Sequence, residues 1–259
     1  MSLLFAYSSL PPLDFSGSST LSIKTFYELV EATLTEKGKE ALSSLKRIID
    51  IKNIFSLQTG VLFDPKGNLL EQQLRLSIAE LEDLPPYILD FLEENKEPKA
   101  LLENIPKLYT LFYKEEISKG GVIKKFLAFE RDIQLLLFGC AGKQLGVDLE
   151  KFLNYEDLTD PIVAHLFLQK KSSSPFIFPY EYKALEEKLL KSGANPMKQY
   201  LSVATYRFDF YKGLFEENMC TFEGICAYMM CLWILEEKKM LDEKQGRKVL
   251  IELVEGENE

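Results

Sequence analysis

Only one histidine, His165, is present, inside the apolar run Val163-Ala164-His165-Leu166-Phe167-Leu168. Imidazole is the usual general base and a common metal ligand near neutral pH. No second His and no Cys stands at ligand spacing from it, so His165 reads as a half-buried structural residue. Without it, Ser–His and Cys–His chemistry lacks a base. No serine occupies a Gly-x-Ser-x-Gly elbow. The four cysteines, Cys140, Cys220, Cys226 and Cys231, lie in apolar helical context. Their spacings fit neither a zinc site nor a disulfide framework, and they read as small buried thiols of a reducing cytosol.

Gly139-Cys140-Ala141-Gly142-Lys143-Gln144 has the glycines and lysine of a phosphate loop. The glycines are too close together, and Gln144 stands where Ser or Thr would hold magnesium. The segment also lies within an apolar helix pattern and not after a strand, which excludes a nucleotide site there. No dinucleotide fingerprint or EF-hand loop occurs, and no cofactor or metal is expected. The carboxylate pairs Glu186-Glu187 and Glu236-Glu237 flank lysines at helical spacing and read as solvated faces.

Glu130, Arg131 and Asp132 interrupt an otherwise apolar helix between Phe129 and Ile133. Two readings are open. One is the polar stripe of an amphipathic helix, which is the commoner case and the preferred one. The other is a partly buried charge network that fixes how two helices dock, where removing one partner is costly.

Composition narrows the field further. The chain has 259 residues, is 46% hydrophobic and carries a formal net charge of −9. An acidic chain of this kind is a poor nucleic-acid binder, which needs a basic patch to neutralise phosphates. Anionic headgroups repel its acidic faces as well. The opening, Met1 to Leu13, is apolar but lacks a basic segment and is broken by Pro11-Pro12, so it is a poor signal peptide.

The elements that would position these residues are helical almost throughout. Residues 3 to 16 read as extended. Helices are expected at about 22–34, 39–51, 69–81, 84–95, 98–116, 121–143, 159–168, 180–192, 196–215, 221–239 and 242–254. Ile54 to Phe63 reads as a short strand or loop, and Pro106 as the end or kink of its helix. Gly139 and Gly142 suit a close helix approach. The strongest segment follows Thr221, a candidate N-cap with Glu223 in the first turn. From Ile225 to Leu235 no residue is charged, so that helix is apolar on all sides and must be buried. It is about half the roughly 20 residues needed to cross a bilayer. The expected fold is an all-α multi-helix bundle with a short extended N-terminal segment. It forms a single domain over 1–259, or two lobes of about 1–170 and 180–254 joined by the loop at 170–179.

Three stretches resemble a bacterial family of unassigned function whose members are usually encoded among V/A-type ATP synthase subunits. The first is the turn Leu10-Pro11-Pro12-Leu13 leading into a helix. The second is the helix with Phe126, Phe129, Glu130 and Ile133, followed by Gly146-Val147-Asp148. The third carries Phe222, Ile225, Ala227, Tyr228, Glu236 and Glu237 and closes on Gly246-Arg247. That family is itself similar to the C (or d) subunit of V/A-type ATPases, a helical funnel without a catalytic site that seats the central stalk on the membrane rotor ring.

The resemblance implies a non-enzymatic rotor connector, cytoplasmic and held at the inner face of the membrane through the ring. Its partners would be stalk and ring subunits. Leu10, Pro11, Pro12, Leu13, Glu130 and Arg131 are the candidate interaction residues. The alternatives are a transient assembly or regulatory factor of the same complex, a helical-cleft enzyme, and an unrelated cytosolic scaffold.

Overall fold

The computed structural model describes residues 3–17, 21–146, 149, 153–169 and 175–241. Among them are eleven α-helices and a single turn of 3-10 helix, Tyr180–Tyr182, and no strand, so the fold is all-α. The expected helix at 242–254 and the Gly146-Val147-Asp148 turn fall wholly or partly outside the described residues. The chain divides into two compact units: Met1–Lys39 with Tyr182–Glu259, and Glu40–Glu181. The second boundary falls just after the 170–179 segment. The Met1–Lys39 segment belongs with the C-terminal helices, which the expected lobe of 1–170 did not anticipate.

In the unit formed by the two chain ends, the helices are α1 (Leu3–Ser8), α2 (Ile23–Glu31), α9 (Lys183–Ser192), α10 (Pro196–Glu217) and α11 (Phe222–Met240). Every residue of α11 from Gly224 to Leu235 is buried, as its lack of charge requires. Thr221 caps it, with Oγ1 accepting from Gly224 N at 3.2 Å. Helix α10 lies along α11, α9 packs on α10, and α2 packs on α11.

The extended reading of residues 3–16 is corrected at its start, where Leu3–Ser8 is helical. The cause is tertiary. Ala6 and Tyr7 are buried, the Tyr7 ring stacks on Phe215 with centroids 5.4 Å apart, and its hydroxyl donates to Asn218 O at 3.1 Å. Burial pushes the Tyr7 phenol up to about 12.

The Glu40–Glu181 unit holds α3 (Glu36–Thr59) beyond its first turn, α4 (Glu71–Glu80), α5 (Pro86–Glu94), α6 (Pro98–Ser118), α7 (Gly121–Leu145) and α8 (Pro161–Gln169). Helix α3 runs on to Thr59, past its expected end at 51, so no strand or loop begins at Ile54. Leu45, Ile49, Ile51 and Ile54 are all buried, continuing the apolar face of a helix. Gly60, with φ of 71°, ends it in the left-handed conformation that glycine tolerates. Helix α6 continues through Pro106 to Ser118, carried by buried Leu101, Leu108, Phe112 and Tyr113 on both sides of the proline.

Helices α7 and α8 pack with α7 glycines at the contact. A Cβ on Gly139 would fall inside the van der Waals envelope of Leu166, with Phe176 at 3.0 Å, and one on Gly142 would overlap Leu149. Leu149, Leu153, Val163 and Leu166 form the small core this approach creates. Gly139→Val should therefore destabilise the protein by about 1–3 kcal/mol through overpacking. A fall in the chemical-denaturation midpoint would check it, and an unchanged midpoint would mean that α7 and α8 can separate freely.

Candidate functional site

The expected interaction residues fall in two places. Leu10 and Pro11 are half-buried, Pro12 is exposed and Leu13 is buried. Tyr228 on α11 donates its hydroxyl to Pro11 O at 2.9 Å. Further along the same segment, Lys238 donates to Phe15 O and sits 4.4 Å from the centroid of the Phe15 ring. At the start of α2, Ile23 N donates to Glu236 Oε1 at 2.8 Å, and Trp233 Nε1 donates to Tyr27 Oη at 3.0 Å. Pro11, Phe15, Ile23 and Tyr27 are thus tied to α11 by four of its side chains. Glu236 is no solvated-face residue, since its carboxylate serves an N–H that α2 leaves unpaired. Glu186 is buried as well and pairs with Lys183, against the same reading.

Glu130 and Arg131 lie on α7. Glu130 is buried. Arg131 reaches two carboxylates outside its helix, with Nη1 at 2.9 Å from Asp160 Oδ2 and Nη2 at 2.5 Å from Glu156 Oε2. Asp160 is also the N-cap of α8, its Oδ1 accepting from Ile162 N at 2.9 Å and Val163 N at 3.2 Å. Thr110 on α6 donates to the other oxygen of Glu156 at 2.6 Å. For Arg131 the polar-stripe reading is corrected. It belongs to a network that ties α6, α7 and the N-terminus of α8 together. Burial alone would favour the neutral guanidine, but Glu156 and Asp160 outweigh it and hold Arg131 charged.

Arg131→Met should cost about 2 kcal/mol, below the range for a fully buried pair because Asp160 keeps partial access to water. Arg131→Lys should not rescue it, since one ammonium cannot span both carboxylates as the planar fork does. Hydrogen exchange at the start of α8 is the readout, and protection equal to wild type would refute the coupling.

A second charged cluster in this unit escaped the sequence reading. Glu116 on α6 has no solvent exposure. Its carboxylate accepts from Arg47 Nη1 at 2.7 Å, from Tyr87 Oη at 3.1 Å and from Lys119 Nζ. Lys119 also reaches Ser44 Oγ at 3.1 Å. Burial and the Glu116 charge push the Tyr87 phenol well above its ordinary value. A signal existed: Glu116 falls one helical turn after Phe112 and two after Leu108, on the buried stripe of α6. A third anchor is Asp50, buried on α3, which accepts from Asn68 N and Asn68 Nδ2, both at 2.7 Å. With Asn53, which pairs with both backbone groups of Asp64, it pins the Asp64–Asn68 turn.

Nε2 of His165 lies 2.7 Å from Ile177 O, while the Gln169 amide pairs with both the N–H and the C=O of Ile177. The histidine therefore serves to hold a loop on α8. Cys226 and Cys231 are buried and their thiols are pushed far up by desolvation, whereas Cys220 is exposed and Cys140 half-buried, so the buried-thiol reading holds for two of the four. Among the described residues no three His, Cys, Asp or Glu side chains converge as metal ligands would. No helix among them is long and apolar enough to cross a membrane.

A family model described as "protein of unknown function (DUF2764)" matches residues 2–257. The chain belongs to the DUF2764 family. Similar proteins occur in chlamydiae, each described as an uncharacterised protein. The one from Chlamydia trachomatis is 23% identical over 97% of this chain and 96% of its own. Those of Chlamydia muridarum and Chlamydia pneumoniae are 22% and 21% identical over similar shares of both chains. No solved structure matches this DUF2764 protein.

Proposed function

We propose that this DUF2764 protein is a non-catalytic connector in the rotor of a V/A-type ATP synthase, linking the central stalk to the membrane ring. The partner assignment rests on the ordered sequence motifs at Leu10–Leu13, Phe126–Ile133 and Phe222–Glu237. These resemble the ATPase-associated family and, through it, the C (or d) subunit of the rotor. The mechanical part rests on one observation: two charge clusters, around Arg131 and around Glu116, join helices. Arg131 ties α7 to the cap of α8, and Glu116 ties α6 to Arg47 of α3 and Tyr87 of α5. Bonds of this kind resist shear, and a part that transmits torque needs that stiffness. Docking through protein contacts at the ring would keep the chain at the inner face of the membrane, and no helix among the described residues spans it.

A transient assembly or regulatory factor of the same complex is the second reading, favoured by the same motifs. Extraction of native membranes in mild detergent, affinity capture on this chain and quantitative mass spectrometry separate the two. Stalk and ring subunits recovered with about one copy of this chain per rotor support the connector. Substoichiometric recovery selects the assembly factor. Recovery of no ATPase component while the complex stays intact in the extract overturns both, and returns attention to a helical-cleft enzyme or an unrelated scaffold.

A further inference from the structure

The acidic residues of this chain are unevenly placed. Of 259 residues 40 are Asp or Glu, yet from Lys188 to Arg207 there is none, and four residues are basic. That stretch forms the tip of the α9–α10 hairpin, where Ser192 ends one helix and Pro196 begins the next. The tip is stiffly built. Gly193 takes a φ of 58°, and Gln199 Nε2 donates to its carbonyl at 2.7 Å. The Asn195 side chain caps α10 by accepting from Lys198 N at 3.0 Å, and the hydroxyls of Ser192 and Ser202 meet at 2.6 Å. An open groove of about 320 Å³ lies here, lined by Lys188, Lys191 and Lys198 with Ser192, Leu201 and Ser202. Lys188 is shared with Asp209 at 3.4 Å, while Lys191 and Lys198 stand exposed. Next to these two lysines in the sequence, two apolar side chains face water, Leu190 at 73% exposure and Met197 at 44%.

We infer that this hairpin tip docks on an anionic lipid surface. The ammonium groups of Lys191 and Lys198 would meet headgroup phosphates while Leu190 and Met197 enter the headgroup–acyl boundary. The net charge of −9 does not forbid it. The potential of an anionic leaflet decays within about 10 Å of the surface, so only charges near the tip are felt strongly. Each lysine there is attracted, and each bared apolar group gains by leaving water. An acidic peptide would satisfy the lysines but gives no reason for Leu190 and Met197 to be bare. A lipid surface uses both. The inference is independent of the rotor reading, because its test contains no ATPase component.

The test is flotation of the full-length protein with vesicles of phosphatidylglycerol and phosphatidylcholine in equal parts, against vesicles of phosphatidylcholine alone, at low salt. Binding to the first and not the second is expected, with release at about 0.5 M salt. Lys191→Ala with Lys198→Ala should weaken the partitioning roughly thirtyfold. Leu190→Ser with Met197→Ser should weaken it about tenfold. All four positions are solvent-accessible, and unchanged circular dichroism would show that the variants remain folded. Failure of the wild-type protein to float with anionic vesicles overturns the inference, as does full binding by both double variants. Capture of a polyglutamate peptide with no vesicle binding would reassign the tip to a protein partner and overturn it equally.

Discussion

Glu116→Leu should destabilise the Glu40–Glu181 unit by about 3–5 kcal/mol, the range for removing one partner of a buried ion pair. The carboxylate is fully buried and is the shared acceptor for Arg47, Lys119 and Tyr87. Its loss leaves the largely buried guanidinium of Arg47 without its anion. Lys119 is nearly half exposed and can turn to water, so most of the cost falls on Arg47. The pH dependence gives an independent check. Burial pushes the Glu116 carboxyl up, but hydrogen bonds from Lys119, Ser44 and Arg47 and the charge of Arg47 outweigh it, so the group sits below its usual range. A carboxylate depressed on folding contributes its stability in full above the unfolded value, and loses it as the pH falls through the folded value. The gap between wild type and Glu116→Gln, measured by urea denaturation, should therefore be widest at neutral pH. It should narrow only below about pH 4. A gap independent of pH would mean that Glu116 is not ionised in the folded protein.

Tyr228→Ala should cost about 3–5 kcal/mol in the unit made by the chain ends, as expected for deleting a buried ring from a packed core. Tyr228 is buried on α11. Its ring lies 5.7 Å from that of Phe26 on α2 and 5.3 Å from that of Phe215 on α10, so the three helices meet at it. Tyr228→Phe separates the two roles of the residue. It keeps the ring but leaves Pro11 O without its donor, for about 1 kcal/mol. If the Leu10–Leu13 segment is held as described, the phenylalanine variant should loosen residues 10–17 in hydrogen exchange while leaving α11 protected. Equal loosening of both would show that the strap and the core are not separable.

How far these features could be read in advance depended on whether their cause was local. The burial of α11 was legible because a run without charge leaves a helix no solvent face, and Thr221 marks its start. The tight approach at Gly139 was legible because only a missing side chain permits it. The end of α3 was not, since an apolar run from Ile54 to Phe63 suits a strand as well as a helix, and the decision lies in which residues Asp50 and Asn53 tether. The helical start at Leu3–Ser8 depends on Phe215 and Asn218, near the opposite end of the chain. Arg131 was recognised as a candidate, but Glu156 and Asp160 lie beyond the end of its own helix. Nothing local tells a docked guanidinium from a solvated one. Glu116 was hidden in the same way, its acidity concealing that it continues the stripe of Leu108 and Phe112.

The ties of Pro11, Phe15, Ile23 and Tyr27 to α11 also set an order of events during synthesis. Glu40–Glu181 is one uninterrupted stretch, so its helices can close while the ribosome is still translating the C-terminal helices. The residues before it must wait. Tyr7 and Phe26 find their ring partners Phe215 and Tyr228 on α10 and α11, which are made only after the whole of Glu40–Glu181 has been translated. Contacts of such separation form slowly, and at elongation rates of about 5–20 residues per second the wait lasts roughly ten seconds or more. Through that interval the rings of Tyr7 and Phe26 lack those partners, so a partly finished chain exposes apolar surface ahead of Glu40 to aggregation and to chaperone capture.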